Sequence, residues 1–134
     1  MENRKRITFR NSKSLPPTKG YTHAVEVRNG RTLYVSGQVA INPQGELVGK
    51  GDLAAQTRQV FENIKAALEA SDASFDDVVK LTFFLTDISQ IQTVREIRDL
   101  YINTSNPPAS SAVEVRKLVN EQFLIEIEAI AVGE

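Results

Sequence analysis

The sequence predicts an α+β fold in which two helices lie on one face of a β-sheet, and three observations carry that expectation. Several short runs alternate apolar and polar side chains at period two; two longer runs repeat apolar residues at three- and four-residue intervals; and the two kinds of run interleave along the chain. Strands joined through helices need right-handed crossovers, which put both helices on the same side of the sheet. A chain of 134 residues, 41% hydrophobic and 25% charged, suits one domain over 1–134 built around one core.

The first expected element is a hairpin. His23 to Arg28 and Arg31 to Ser36 alternate around Asn29-Gly30, a dipeptide that readily takes φ > 0 at both turn positions. Val25 and Val27 share one face of its first strand, Leu33 and Val35 one face of its second. A short third strand is expected after Gln38, cut off by the Asn42-Pro43-Gln44-Gly45 turn, with Leu47-Val48 extending the pairing. Gly49-Lys50-Gly51-Asp52 fails the P-loop spacing and reads as a helix entry turn. Asp52 is a good N-cap for a helix to about Ala70, whose Leu53, Val60, Phe61, Ile64 and Leu68 form one stripe with Gln56, Gln59 and Asn63 outside it. Val78 to Leu85 follows as a strand, with Val79, Leu81, Phe83 and Leu85 on one side and Val78, Lys80, Thr82 and Phe84 on the other. Ser89 with Gln92 matches a capping box for a second helix, in which Val94, Ile97 and Tyr101 share a face, and Asn106-Pro107-Pro108 ends it. Two strands close the chain, Ser111 to Arg116 and Phe123 to Val132.

With both helices on one side, the opposite sheet face has no cover. It would carry Val78 and Phe84 from the middle strand, and Leu124, Glu126, Glu128, Ile130 and Val132 from the last. Apolar area of that extent marks a subunit interface more often than a solvated surface, so a homo-oligomer is expected.

Composition removes several classes of function. No run approaches the roughly 18 apolar residues of a membrane span, and Met1 to Lys13 lacks the apolar centre of a signal peptide, so a cytoplasmic protein without a membrane partner is expected. The absence of cysteine excludes a disulfide, a thiol nucleophile and a thiolate metal site. His23 is the only histidine, so a subunit has no two-histidine metal site, no metal is expected, and His23 reads as a structural or solvated strand residue. A net charge of −1 gives no general pull toward nucleic acid. The one basic cluster, Arg4, Lys5, Arg6, Arg10 and Lys13, reads as a solvated terminal segment.

Two places hold candidate chemistry. Glu126 and Glu128 stand two apart on a strand and so share its apolar-rich face, where burial raises a carboxyl pKa toward values useful for proton transfer. A structural role, held by backbone amides or by Arg and Lys across an interface, is the commoner explanation of such a pair. Gly37, within Ser36-Gly37-Gln38 at a strand end, suits either a bulge or close approach of a ligand; Ser36 itself is in no nucleophile-elbow pattern.

Seven segments stand in an order shared with one family. They are Gly20-Tyr21-Thr22-His23-Ala24, Leu33-Tyr34-Val35-Ser36-Gly37-Gln38, Gly45-Glu46-Leu47-Val48-Gly49, Gln56-Thr57-Arg58-Gln59-Val60, Asp76-Asp77-Val78-Val79-Lys80, Pro107-Pro108-Ala109, and Ile125 to Val132. From Gly20 to its C-terminus the chain thus resembles the RidA/YjgF proteins, which also carry the older label L-PSP endoribonuclease. The resemblance implies a chorismate-mutase-like fold, with two helices over a six-stranded mixed sheet and three subunits packing their sheets into a central core. It implies three clefts between neighbours, in which 2-imino or 2-aminoacrylate-type intermediates are hydrolysed to 2-oxo acids and ammonia without metal or organic cofactor. It also implies that Glu126 positions the attacking water and that Tyr21 lines the cleft. In active members an arginine after Pro-Ala grips the substrate carboxylate, whereas Pro108-Ala109-Ser110-Ser111 places Ser110 there. A hydroxyl does not replace a bidentate guanidinium, whose charge-assisted pairing is worth roughly 2 to 5 kcal/mol by truncation. Ser110, Ser111 and the Ser36-Gly37 segment are then left to hold a carbonyl or hydroxyl group. Arg95, where the family often has a small polar residue, is the first of Arg95, Arg98, Arg116 and Lys117 to examine as a compensating cation.

Three functions follow for the small-molecule cleft of such a homotrimer. One is a deaminase-like hydrolase whose substrate is neutral beside Ser110, with Glu126 activating water. Another is a non-catalytic ligand-binding or regulatory trimer, in which Glu126 only satisfies backbone amides. RNA cleavage, from the family's older label, ranks last because a pI near 5.9 and one histidine offer neither a cationic track nor a histidine pair.

Overall fold

The two periodicities resolve, in a computed structural model that describes residues 4–134, into strands and helices close to those expected. The elements are β1 (Arg6–Arg10), β2 (Ala24–Arg28), β3 (Arg31–Gln38), α1 (Leu53–Ala70), β4 (Val78–Leu85), α2 (Ile91–Arg98), β5 (Ala109–Glu114) and β6 (Ile125–Gly133). A mixed sheet has the order β3-β6-β4-β5, with β6 antiparallel to both its neighbours and β4 parallel to β5. β1 and β2 form a separate antiparallel pair, so the strands expected in one six-stranded sheet are divided between two. Asn29 and Gly30 take φ of 61° and 93°, as the dipeptide predicts, yet the hairpin pairing does not follow. β2 is paired along its length by β1, Arg6 opposite Arg28, while β3 begins its ladder with β6 at Arg31 opposite Gly133. The basic N-terminal cluster thus includes a strand, Arg6 and Arg10 lying within β1, while Arg4, Arg6, Arg10 and Lys13 remain exposed as expected. Lys5 forms an ion pair with Asp77, and Arg10 reaches Glu26 at 2.7 Å, its hydrogen bond holding the Glu26 carboxyl below the ordinary range.

α1 begins where its cap was read. Asp52 accepts from the Ala55 N–H at 3.0 Å, and the stripe of Leu53, Val60, Phe61, Ile64 and Leu68 is buried against the sheet. Gln56, expected outside the stripe, is wholly buried instead, because it satisfies three backbone groups. Its Nε2 donates to the Gly49 and Gln122 carbonyls at 3.1 and 2.9 Å, and its Oε1 accepts from the Leu124 N–H at 2.8 Å. The entry turn of α1 is thereby tied to the approach of β6. Tyr101 stacks on Phe61 with ring centroids 5.0 Å apart and donates to Glu62 at 2.8 Å; burial and then the Glu62 contact push its hydroxyl up to about 12.

Three boundaries differ from the sequence reading. The strand expected after Gln38 is a single bridge between Ile41 and Leu47. α2 is entered through a 3-10 turn at Ile88–Gln90 capped by Asp87, which accepts from the Ser89 N–H at 3.1 Å, in place of the Ser89–Gln92 box. The same helix ends at Arg98, where the Tyr101 and Ile102 N–H groups bond the Arg98 carbonyl at 2.9 and 3.1 Å; Asn106-Pro107-Pro108 leads into β5 instead of stopping α2.

The side chains of Leu81, Phe83 and Leu85 on β4 and of Ile125, Ile127, Ala129 and Ala131 on β6 form the core with α1 and α2. A register shift between Val78 and Lys80 turns Val78 into that core, against simple alternation. Leu124 precedes β6 and packs on the core, and Val132 is buried where Lys5 donates to its carbonyl at 2.9 Å. The helix-free face therefore keeps Tyr34, Phe84, Val113, Glu126, Glu128 and Ile130, with Tyr34 80% exposed. Among the described residues no helix is long and apolar enough to cross a membrane.

Candidate functional site

The segment carrying Tyr21 is fastened to the start of β5. Thr22 donates through its hydroxyl to the Pro107 carbonyl and through its backbone N–H to that of Pro108, at 3.2 Å, immediately before Ala109 opens the strand. Gly20 adopts φ 75° and lets Arg98 approach: a Cβ at that position would stand 2.2 Å from its Nη2. These two contacts hold the loop against α2 and β5 and leave a cavity of about 220 Å³, lined among others by Lys19, Tyr21, Arg95, Arg98, Ser110 and Ser111. A wider hollow of about 440 Å³ shares Lys19, Tyr21, Arg95 and Arg98 with it. The structure thus brings together Tyr21, Arg95, Ser110 and Ser111, four of the residues singled out from the sequence.

Charge in this cavity is one-sided, since no carboxylate belongs to its lining. The Arg98 side chain is only 9% exposed, and its Nε donates to Asp99 at 2.9 Å; its terminal nitrogens have no partner among the described residues. Arg95 and Lys19 are exposed and form no ion pair among those residues. The Ser111 hydroxyl accepts from Lys80 Nζ at 3.0 Å. Lys19 went unread in the sequence, and Arg98 was only one of several substitutes. Its signal was there: four residues after Val94 it falls on the buried side of α2, where a cation needs a reason to be.

The remaining candidates form a second group. β3 bulges at Ser36-Gly37, since Val35 lies opposite Ala129 and Gln38 opposite Ile127. The Glu126 carboxylate rests on Gly37, where an added Cβ would meet its Oε2 at 2.0 Å. Half-buried Glu126 makes no hydrogen bond or ion pair among the described residues, and neither does exposed Glu128. Gly37 borders a hollow with Gln38, Asn42 and Asn63, whereas Ser36 faces another between β3 and α1.

Within one chain the two groups do not meet. Ser110 pairs with Leu81, whose side chain is in the core, and so points to the helix side; Glu126 pairs with Phe84 on the helix-free side, to which the Ser111 hydroxyl, level with Thr82 and bonded by Lys80, also turns. β4 lies between their strands, so Ser110 and Glu126 stand on opposite faces and roughly 10 Å apart across the sheet at ~4.8 Å per strand. His23 is engaged at both ring nitrogens. Nδ1 accepts from the Ser12 N–H at 3.0 Å, which leaves Nε2 to donate to the Pro16 carbonyl at 2.9 Å, a structural role. No group of three His, Cys, Asp or Glu among the described residues is placed to hold a metal ion.

Comparison with known proteins gives a consistent result. The family described as Endoribonuclease L-PSP matches residues 11–133. A RutC family protein of Pyrococcus abyssi is 44% identical over 91% of this chain and 93% of its own. The 2-iminobutanoate/2-iminopropanoate deaminase of Escherichia coli is 39% identical over 84% of this chain and 86% of its own. Among solved structures, a Rid-family protein of unknown function from Yersinia pestis superposes with a TM-score of 0.85 at 37% identity, covering 94% of this chain and 98% of that one.

Proposed function

The chain belongs to the RidA/YjgF family, the group described as Endoribonuclease L-PSP, and from that premise we propose that it is a deaminase-like hydrolase of small imines whose cleft is shared between copies in a homotrimer. One observation carries the reading: the acid–base candidate and the ligand cavity lie on opposite faces of the same sheet, so only a second copy can bring them together. The helix-free face that would do so leaves Tyr34 and Val113 exposed and Phe84 and Ile130 half-buried. The Escherichia coli relative, named for imine deamination, supplies the reaction class.

Glu126 from one copy takes a proton from water as the water oxygen bonds to the imine carbon and the C=N pair moves to nitrogen. Nitrogen gains that proton to give the carbinolamine; Glu126 then takes the hydroxyl proton and passes it to the same nitrogen as C=O re-forms and the C–N bond breaks, so that ammonia departs. Glu126 suits the task because its carboxylate is already seated on Gly37 and bonded to nothing else among the described residues. Tyr21 and Ser110 of the facing copy orient the substrate. With Ser110 where active members carry arginine, β5 offers a hydroxyl and no cation to the group beside it. RNA cleavage is disfavoured further, because both nitrogens of the only histidine are already bonded within the fold.

Subunit mixing tests the shared cleft. Glu126→Gln is expected to lower turnover of oxidase-generated imines by about 100-fold or more, and Ser110→Trp to plug the cavity. In a ring of random composition, refolding the two variants together at equal amounts restores about a quarter of the wild-type rate, because one junction in four combines two intact halves. Two inactive parents without recovery would sink the shared cleft. A wild-type protein that binds 2-oxo acids but hydrolyses no imine in a broad panel would leave a ligand-binding trimer.

A further inference from the structure

We propose that Arg98, Arg95 and Lys19 form a carboxylate subsite at the α2 end of the cavity, so that the substrate carries an acidic group remote from the carbon that reacts. The inference rests on the reading above, which puts the reacting carbon near Ser110, and it names the substrate class: imines of amino acids with an acidic side chain.

Arg98 is the anchor. Its Nε is bonded to Asp99 at 2.9 Å, and its terminal nitrogens, which bond no group among the described residues, stay open to solvent. The terminal nitrogens border the cavity, and Gly20 keeps space for them where any side chain would collide. One carboxylate orients the fork from behind, and its open prongs match a second carboxylate arriving from the cavity. Arg95, one turn earlier on α2, and Lys19, on the loop, border the same space without ion pairs among the described residues. Three cations against Asp99 leave an excess of positive charge in a pocket whose inner lining has no acid. At the opposite wall the strand offers the neutral Ser110. An anionic head is therefore held at the helix, with the reacting carbon lying toward the strand.

Binding and turnover separate this subsite from the proposed chemistry. Calorimetric titration of the assembled protein is expected to show 2-oxoglutarate binding about 10- to 100-fold more tightly than 2-oxobutanoate, the range for charge-assisted bonds. Arg95→Ala and Lys19→Ala should each erode that preference, and Arg98→Lys, which keeps the charge but loses the fork, should erode it most. Lys65→Ala, on the exposed side of α1, should leave it unchanged. Imines made by an oxidase from glutamate should outpace those from alanine in kcat/KM, with the margin lost in Arg95→Ala. Glu126→Gln should abolish turnover but retain the binding preference. Equal affinity for the two oxo acids, indifference to the Arg95 and Lys19 changes, or tighter binding of inorganic phosphate than of 2-oxoglutarate would overturn the carboxylate subsite. Turnover surviving in Glu126→Gln with the preference intact would instead overturn the chemistry and leave the subsite standing.

Discussion

Gly37 is held to glycine by a neighbour and not by its backbone, which lies outside the left-handed region. The added methyl of Gly37→Ala would meet the Glu126 carboxylate, so the expected result is a fold of nearly unchanged melting temperature with a carboxylate displaced by about an ångström. Misplacement on that scale costs roughly 10- to 100-fold in rate, measurable as a fall in kcat in a protein whose thermal transition is retained. The sequence made both residues candidates, Glu126 as an acid on an apolar strand face and Gly37 as a glycine in a strand. Their contact was not legible, because it depends on how β3 and β6 register across a bulge. Arg98 shows the converse. Its spacing from Val94 pointed inward, but a guanidinium turned toward Gly20 from a distant loop leaves no trace in local pattern.

Gln56 shows how an element is joined to the rest of the fold. Replacing it with alanine or leucine would leave the Gly49 and Gln122 carbonyls and the Leu124 N–H without their partner. Each buried group so abandoned costs about 1 to 3 kcal/mol, with relaxation reducing the sum. Gln56→Leu should therefore destabilise the protein by about 2 to 4 kcal/mol in urea unfolding, although it makes the helix more apolar. α1 was legible because cap, periodicity and length agreed, and β4 and β6 because alternation and length did. The β2–β3 hairpin was not: the turn chemistry was right, since Asn29 and Gly30 are left-handed, but the choice of pairing partner went to β1. Similarly, Asp87 caps the way into α2 because its carboxylate reaches the Ser89 N–H through a 3-10 turn, in place of the Ser89–Gln92 box.

At the scale of the molecule, the helix-free face sets the behaviour. Lysine at Ile130, next to Tyr34 and Lys80 in the ladder, adds a second positive charge to the face that the proposed trimer covers. Light scattering should show Ile130→Lys falling from three chains toward one, with imine turnover lost in parallel; an unchanged mass would place the contact elsewhere. That face was legible in outline from the positions of the helices, although Val78, Leu124 and Val132 proved to belong to the core. The bulge at Ser36-Gly37 has a further effect, because β3 ends its sheet and offers an outer edge. A flat edge invites strands from other molecules to add on indefinitely, whereas a kinked one interrupts their hydrogen bonding after a few residues. The irregularity that seats a carboxylate thus also guards the chain against growth into fibres.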